Sequence, residues 1–266
     1  MRNDYSKIAY LSKNYNKVQT IMHYINYEAL LVEHRKQNAN KSPGIDGIRK
    51  EDYEEDLSAN VNGLMSRMQT FAYKPKAVRR TYIPKGDGKS RPLGIPSYED
   101  KLVQGVMRKV LDAVYEEKFM DFSFGFRRGK NCHKAIREVN QIIMTKKVNY
   151  VVDVDISGFF NNVNQEWLMK FLAHDIADKN FLRYIKRFLK SGVVEDMQHY
   201  KSDKGTPQGG LISPVLANVY LHYVLIYGLK TVLKDISKVK RKLFVTLTIL
   251  FVSLSMSMRQ YNFLNY

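Results

Sequence analysis

Apolar residues recur every three or four positions in several long stretches of the chain. Because an α-helix turns once per 3.6 residues, this spacing gathers the apolar side chains on one face, and each stretch is predicted to form an amphipathic helix. The predicted helices cover residues 15–37, 52–71, 100–119, 133–146 and 166–192. One more helix is predicted to begin near Ser213, where Pro214 suits the first helical turn.

Other stretches carry the signals of β-strands. Residues 76–95 place β-branched and aromatic side chains around a loop rich in Gly and Lys, which predicts a basic β-hairpin. Residues 150–156 form a β-branched run that predicts a buried strand. Residues 193–202 are long enough to form a second, short hairpin. The chain shows no internal repeat.

Composition favours a globular chain with a polyanionic partner. Hydrophobic residues make up 44% of the 266 positions, while the formal net charge is +17 and the pI is about 9.7. This charge favours association with nucleic acid, and the alternatives are an anionic membrane surface or a basic protein of another kind, such as a ribosomal or exported protein. The first residues lack the apolar core of a signal peptide, and the single cysteine, Cys132, suits a reducing cytoplasm.

Two acidic residues stand inside the predicted strand 150–156. Side chains alternate between the faces of a strand, so Asp153 and Asp155 are expected on one face and Val154 on the other. A pair of carboxylates at a strand end is a candidate ligand set for a metal ion. The alternative is a solvated strand edge, which a single Asp would favour, but the flanking apolar residues argue against exposure.

Three sequence blocks follow one another in an informative order. The first is the basic hairpin, the second is Asp-Ile-Ser-Gly-Phe-Phe from Asp155, and the third is Gly-Thr-Pro-Gln-Gly-Gly from Gly205. In order and spacing they resemble the reverse transcriptase blocks of bacterial group II intron proteins, from Asn40 to Leu225. The resemblance implies an α+β right-hand polymerase with fingers in residues 1–122, a partial palm in 123–225, and no thumb.

The resemblance also implies a role for several residues in metal and nucleotide binding. Asp155 would be the catalytic ligand of Mg²⁺, assisted by the carbonyl oxygen of Ile156, because two magnesium ions need hard oxygen ligands on a rigid strand. Phe160 would act as a steric gate against a ribose 2′-OH. Lys85 and Arg91 of the hairpin would contact the triphosphate of the incoming deoxynucleotide, although a solvated basic turn would look the same.

Three further residues are implied to contact nucleic acid. Gln208 would shape the template side of the nucleotide-binding site, and Arg127 and Arg128 would meet backbone phosphates. The chain departs from the family pattern at Ser157, where Lys is usual, and at Asn161, where Asp is usual. Neither departure removes the expected primary metal ligand.

A larger departure begins after Leu225, where the family continues to a Tyr-Ala-Asp-Asp motif that completes the metal site. Residues 226–266 contain one acid, Asp235, and an apolar run that is too short for a membrane span of about 20 residues. A buried strand pair is one interpretation of this run. A single lost nucleotide is the interpretation we favour.

The second interpretation rests on reading the tail one base out of frame. Residues 226–230 are what Asp-Leu-Trp-Phe-Glu gives after the shift, and residues 246–252 are what Tyr-Ala-Asp-Asp-Phe-Val-Cys gives. Residues 255–260 likewise correspond to Gln-Tyr-Glu-Tyr-Glu-Ala, where two methionines leave little codon freedom. The sequence therefore predicts a frameshifted fragment whose tail, residues 226–266, does not have the sequence of the family. It also predicts that a palm strand is left unpaired and that the fragment is poorly soluble.

The predicted function is that of a group II intron RNA-directed DNA polymerase, which in the intact relative would support intron mobility and splicing. Its expected partners are intron or template RNA, a DNA primer and deoxynucleoside triphosphates. The protein is expected in the cytoplasm, and no association with a membrane is expected. A homodimer is among the assemblies expected of the intact relative. The fragment itself is predicted to have little or no polymerase activity, and the alternative is a non-catalytic protein that binds intron RNA.

Overall fold

The computed structural model describes residues 4–84, 88, 90–146, 150–207, 209–228, 240–246 and 249–255. The chain divides into two compact units that alternate along the sequence. The first unit comprises Met1–Lys118 and Phe160–Tyr220, and the second comprises Phe119–Phe159 and Leu221–Tyr266. These limits differ from the predicted boundaries at residues 122 and 225, which stay a prediction.

Helices and short strands build the first unit. Its helices are α1 (Ser6–Asn14), α2 (Tyr27–Lys36), α3 (Lys50–Glu54), α4 (Leu57–Gln69), α5 (Tyr98–Tyr115), α7 (Phe159–Asn162, which begins one residue before the unit), α8 (Gln165–Asp175), α9 (Lys179–Lys190) and α10 (Ser213–Leu221). Its strands are β1 (Val78–Pro84), β2 (Ser90–Ile95), β4 (Val193–Glu195) and β5 (Gln198–Tyr200). The second unit holds α6 (Cys132–Thr145), β3 (Tyr150–Asp155), β6 (Lys240–Thr246) and β7 (Ile249–Ser255).

Helix α5 forms the centre of the first unit. The helix begins after Ser97, and its apolar residues lie on more than one face, so that neighbours can pack around it. Leu102, Val106 and Leu111 are completely buried, and α1 and α2 pack against the helix. The predicted helix 100–119 is thus confirmed, with slightly earlier ends. Within the described residues no helix is both long enough and apolar enough to cross a membrane.

The predicted helix 15–37 is interrupted in the structure. Only Tyr27–Lys36 is α-helical, after a 3₁₀ turn at Met22–Tyr24. Upstream of that turn the backbone of Val18 pairs with Ile176, and the N–H groups of Ile21 and Met22 donate to the carboxylate of Asp178. Because these N–H groups bond to a distant side chain, they do not continue a helix.

The same contacts divide the predicted helix 166–192. Helix α8 ends at Asp175, Ile176 is extended where it meets Val18, and Asp178 caps α9 by accepting from the N–H groups of Asn180 and Phe181. A smaller break separates α3 from α4 within the predicted helix 52–71, where Asp56 caps α4. Residue types that cap helices mark all of these junctions.

Among the described residues, the strands of the first unit form one sheet in the order β2-β1-β4-β5. Strands β1 and β2 are antiparallel, with Arg80 opposite Gly94, and β1 runs parallel to β4 with Val78 opposite Val193. The β4–β5 hairpin turns through Asp196 and Met197, which both have positive φ, as a two-residue hairpin turn of this hand requires. Both predicted hairpins are confirmed.

The second unit contains the other described sheet, in the order β3-β7-β6. Strand β3 confirms the strand predicted at 150–156, and it pairs antiparallel with β7. The prediction of an unpaired palm strand was therefore wrong, because residues of the tail supply a partner for β3. This arrangement agrees with the strand-pair interpretation of the tail.

A carboxylate of the first unit is buried, and it forms no ion pair with the residues that the structure describes. Asp100, in the first turn of α5, is 2% exposed. It accepts hydrogen bonds from the Tyr73 hydroxyl and, at 3.0 Å, from the backbone N–H of Lys76. Burial raises the pKa of Asp100 to about 6, although its hydrogen-bond donors act in the opposite direction.

The stability of the first unit is therefore expected to depend on the protonation of Asp100. Its pKa is about 6 in the folded chain and near 3.8 when exposed, so the folded state binds the proton more tightly. The free energy of unfolding should fall by up to about 3 kcal/mol as the pH rises from below 3.8 through 6, with most of the loss between pH 4 and about 7, and then stay level.

Urea unfolding between pH 4 and 7.5 would measure this pH-dependent contribution of Asp100 to the free energy of unfolding, with Asp100→Asn as the reference. The difference between parent and variant isolates Asp100 from other titrating groups. An identical pH profile in the variant would show that the buried carboxylate is not the cause.

Candidate active site

The glycine-rich block at 205–210 forms a loop against α7. The N–H of Thr206 donates to the carbonyl oxygen of Phe160 at 2.8 Å, and the N–H of Gly205 donates to that of Val163 at 2.7 Å. Gly205 has φ +79°, and a Cβ atom there would lie 2.7 Å from the Phe160 carbonyl oxygen. Glycine is required here both for its conformation and for this close approach.

The other end of the loop touches the hairpin strand β2. Gly209 has φ +103°, and a Cβ atom at this position would collide with the carbonyl oxygen of Gly94. The Ser213 hydroxyl then donates to the Pro207 carbonyl oxygen at 2.6 Å, which holds the loop at the start of α10. The structure thus brings the loop into contact with both other predicted blocks, at Gly94 of the hairpin and at Phe160, the last residue of the second block.

Two of the four predicted nucleotide-binding residues, Phe160 and Arg91, lie on elements that contact this loop. Phe160 is half-buried in α7, directly bonded through its backbone to the loop. Arg91 is exposed on β2, three residues before Gly94 and opposite Ile83. Lys85 and Gln208 lie outside the described residues. The triphosphate and gate roles stay predictions.

A cavity that the sequence did not predict lies beside the loop. Its volume is about 390 Å³, and it is lined by β1, β4 and residues 200–207. Inside it, the Arg80 guanidinium lies 3.7 Å from the Glu195 carboxylate. The hydroxyl of Thr206 is buried and has no hydrogen-bond partner among the described residues. Arg80 belongs to the basic hairpin, but no sequence signal linked it to Glu195, which is 115 positions away.

The predicted metal ligand lies in the second unit. Asp155 is the last residue of β3, its backbone lies opposite Ile249 of β7, and Ile156 follows directly. Within the part of the chain that the structure describes, no group of three or more His, Cys, Asp or Glu side chains could hold a metal ion. Two ions require several carboxylate ligands, and metal binding by Asp155 and the Ile156 carbonyl oxygen stays a prediction.

The two arginines predicted to contact phosphate differ in exposure. Arg127 is 8% exposed, and its guanidinium donates to the carbonyl oxygens of Met120 and Ser123 at 2.6 and 2.9 Å. Arg128 is exposed. Arg127 thus stabilises its own loop, while Arg128 is free to extend into solvent. Contact of either with nucleic acid stays a prediction.

Comparison with known proteins supports the family and the fold that the sequence blocks indicate. Residues 83–237 match the family described as reverse transcriptase (RNA-dependent DNA polymerase). The fold is similar to the partial Cas6-RT-Cas1–Cas2 complex, with a TM-score of 0.52 and 17% identity, over 87% of this chain and 37% of that one. That likeness supports the α+β reverse transcriptase fold alone.

Two curated relatives indicate the branch of the reverse transcriptase family to which the chain is similar. The chain is 35% identical to the group II intron-encoded protein LtrA of Lactococcus lactis over 76% of its length and 32% of LtrA. It is 34% identical to the protein YkfC of Escherichia coli, over 68% of its length and 48% of that protein. The chain thus spans between a third and a half of these relatives. It belongs to the reverse transcriptase family, in the branch encoded by group II introns.

Proposed function

We propose that this chain derives from an RNA-directed DNA polymerase of a group II intron and has lost polymerase activity through a frameshift after Leu225. The intact protein would extend a DNA primer on an RNA template with deoxynucleoside triphosphates, and would assist splicing and mobility of its intron. Reverse transcriptases use divalent metal ions, and Mg²⁺ is the ion we propose here. Among the described residues no cluster of carboxylates completes a metal site with Asp155, so this chain is assigned no metal-dependent step.

The register of the second sheet is the observation that supports this proposal most directly. Residue 246 ends β6 and pairs with residue 249, which begins β7. Residue 249 also pairs with Asp155. In the restored frame, positions 246–249 read Tyr-Ala-Asp-Asp.

Frame restoration would therefore place carboxylates beside Asp155. Paired residues of antiparallel strands have Cα atoms roughly 5 Å apart. An aspartate at position 249 would then lie across from Asp155, and a second would directly precede it in sequence. That proximity is what two metal ions bridged by shared carboxylates require.

Primer extension tests the proposal. The chain as given and a chain whose frame is restored after Leu225 are compared on an RNA template with a DNA primer and Mg²⁺. We expect extension products from the restored chain only. DNA synthesis by the chain as given would contradict the loss of activity, and the absence of synthesis by both would contradict the frameshift as its cause.

A further inference from the structure

Helix α9 carries an unusual number of cations. Its twelve residues include five Lys and Arg and no acid. The apolar residues form one face and are buried in the first unit, as Phe181, Tyr184 and Ile185 are completely so. The amphipathic pattern therefore leaves the cations on the outer side.

Four of the five cations form an exposed stripe. Lys179, Arg183, Lys186 and Lys190 are all exposed and are spaced by four, three and four residues, which places them on one face of the helix. With a rise of 1.5 Å per residue, the stripe is roughly 16 Å long. The fifth cation, Arg187, is different because its guanidinium donates to the carbonyl oxygens of Phe71 and Tyr73.

Most of the stripe has no countercharge. Lys190 lies 3.2 Å from the carboxylate of Asp203, which is itself largely exposed. Among the residues that the structure describes, Lys179, Arg183 and Lys186 form no ion pair. Like charges three or four residues apart on a helix repel one another, so an external polyanion would relieve a cost that the folded chain leaves in place.

One cation of the stripe is also held in a fixed position. The Arg183 guanidinium lies over the Phe71 ring, 4.3 Å from its centroid. Phe71 has φ +59°, a conformation that a bulky residue rarely adopts, and its carbonyl oxygen accepts from Arg187. Arg187 and Phe71 thus position Arg183 before any partner arrives.

We infer that the α9 stripe binds the phosphate backbone of RNA, through Lys179, Arg183 and Lys186. This inference rests on the proposed function for the identity of the polyanion. A membrane surface fits less well, because a helix that lies in a lipid interface buries its apolar face in the lipid, whereas the apolar face of α9 is packed inside the protein. The stripe would hold RNA without reading its sequence.

Salt-dependent RNA binding tests the inference. The full chain, a Lys179→Gln/Arg183→Gln/Lys186→Gln variant and an Arg108→Gln control are titrated with a fluorescent RNA hairpin between 50 and 300 mM KCl. Arg108 is an exposed cation paired with Asp112 on its own helix. Removing one phosphate-binding cation should lower the slope of log K against log salt by about 0.9, so the slope should fall by about 2–3 in the triple variant and by about zero in the control.

Several outcomes can be distinguished. An unchanged slope and affinity in the triple variant, with thermal unfolding like that of the parent, would overturn the inference. Weaker binding to vesicles of anionic lipid, with RNA binding intact, would overturn it in favour of a membrane surface. The RNA-binding assay needs no DNA synthesis. A negative result for the α9 stripe can therefore be told apart from a negative result in primer extension.

Discussion

Replacing Asp155 by alanine in the frame-restored chain is expected to slow primer extension by about 10³-fold or more. Its carboxylate would be a direct ligand of the metal ions, whose charge stabilisation is worth several kcal/mol in such reactions, and each 1.36 kcal/mol corresponds to a tenfold change in rate. Strand β3 should persist in the variant, because its pairing with β7 is made by backbone groups.

The matched control is Asp153→Ala, two positions earlier on the same strand. The family resemblance assigns metal binding to Asp155 and not to Asp153, so the control should retain most of the activity. Initial rates of nucleotide incorporation measure the effect, and RNA affinity should be unchanged in both variants. Equal losses at the two positions would indicate damage to the strand and would remove the argument for a specific ligand.

Replacing Asp178 by alanine is expected to destabilise the first unit by about 3–4 kcal/mol. One carboxylate oxygen accepts from the N–H groups of Ile21 and Met22, both at 2.8 Å, and the other caps α9. Loss of a helix cap alone costs roughly 1 kcal/mol. The remaining cost comes from N–H groups left without an acceptor, at about 1–3 kcal/mol when they are buried.

Urea unfolding of three variants separates these contributions. Asp178→Asn keeps a single side-chain oxygen and should lose about half as much stability as Asp178→Ala. Asp203→Ala removes an exposed carboxylate that makes one surface ion pair with Lys190, and it should change stability by less than about 1 kcal/mol. A small effect of Asp178→Ala would mean that the N-terminal segment is held in place by other contacts.

The periodicity of the sequence predicted the elements that depend on local pattern. Helix α5, both hairpins and strand β3 follow from side-chain spacing and turn residues, and the structure confirms them. The break in helix 15–37 could not be predicted in the same way. It depends on Asp178, which lies 157 positions from Ile21 and resembles any other helix-capping residue.

The candidate site was predictable only in part, for a similar reason. The order of the sequence blocks indicated Phe160, the glycine-rich loop and the hairpin, and the structure shows how the close approaches at Gly205 and Gly209 bring these blocks together. The cavity around Arg80 has no sequence signal, because it depends on segments that meet only in the folded chain. The burial of Arg127 has none either, because an arginine that bonds to carbonyl oxygens of its own loop has the same sequence as one that extends into solvent.

The alternation of the two units along the chain has a consequence for synthesis. The first unit needs residues 1–118 and 160–220, so its fold cannot close until the ribosome has added residue 220, roughly 10–45 s after initiation at typical rates. Until then its central helix must wait for α8, α9 and α10. Every residue of this unit is nevertheless encoded upstream of Leu225. A gene that has lost its frame at that point would still direct the synthesis of one complete folding unit, and selection could act on that unit after the polymerase had been lost.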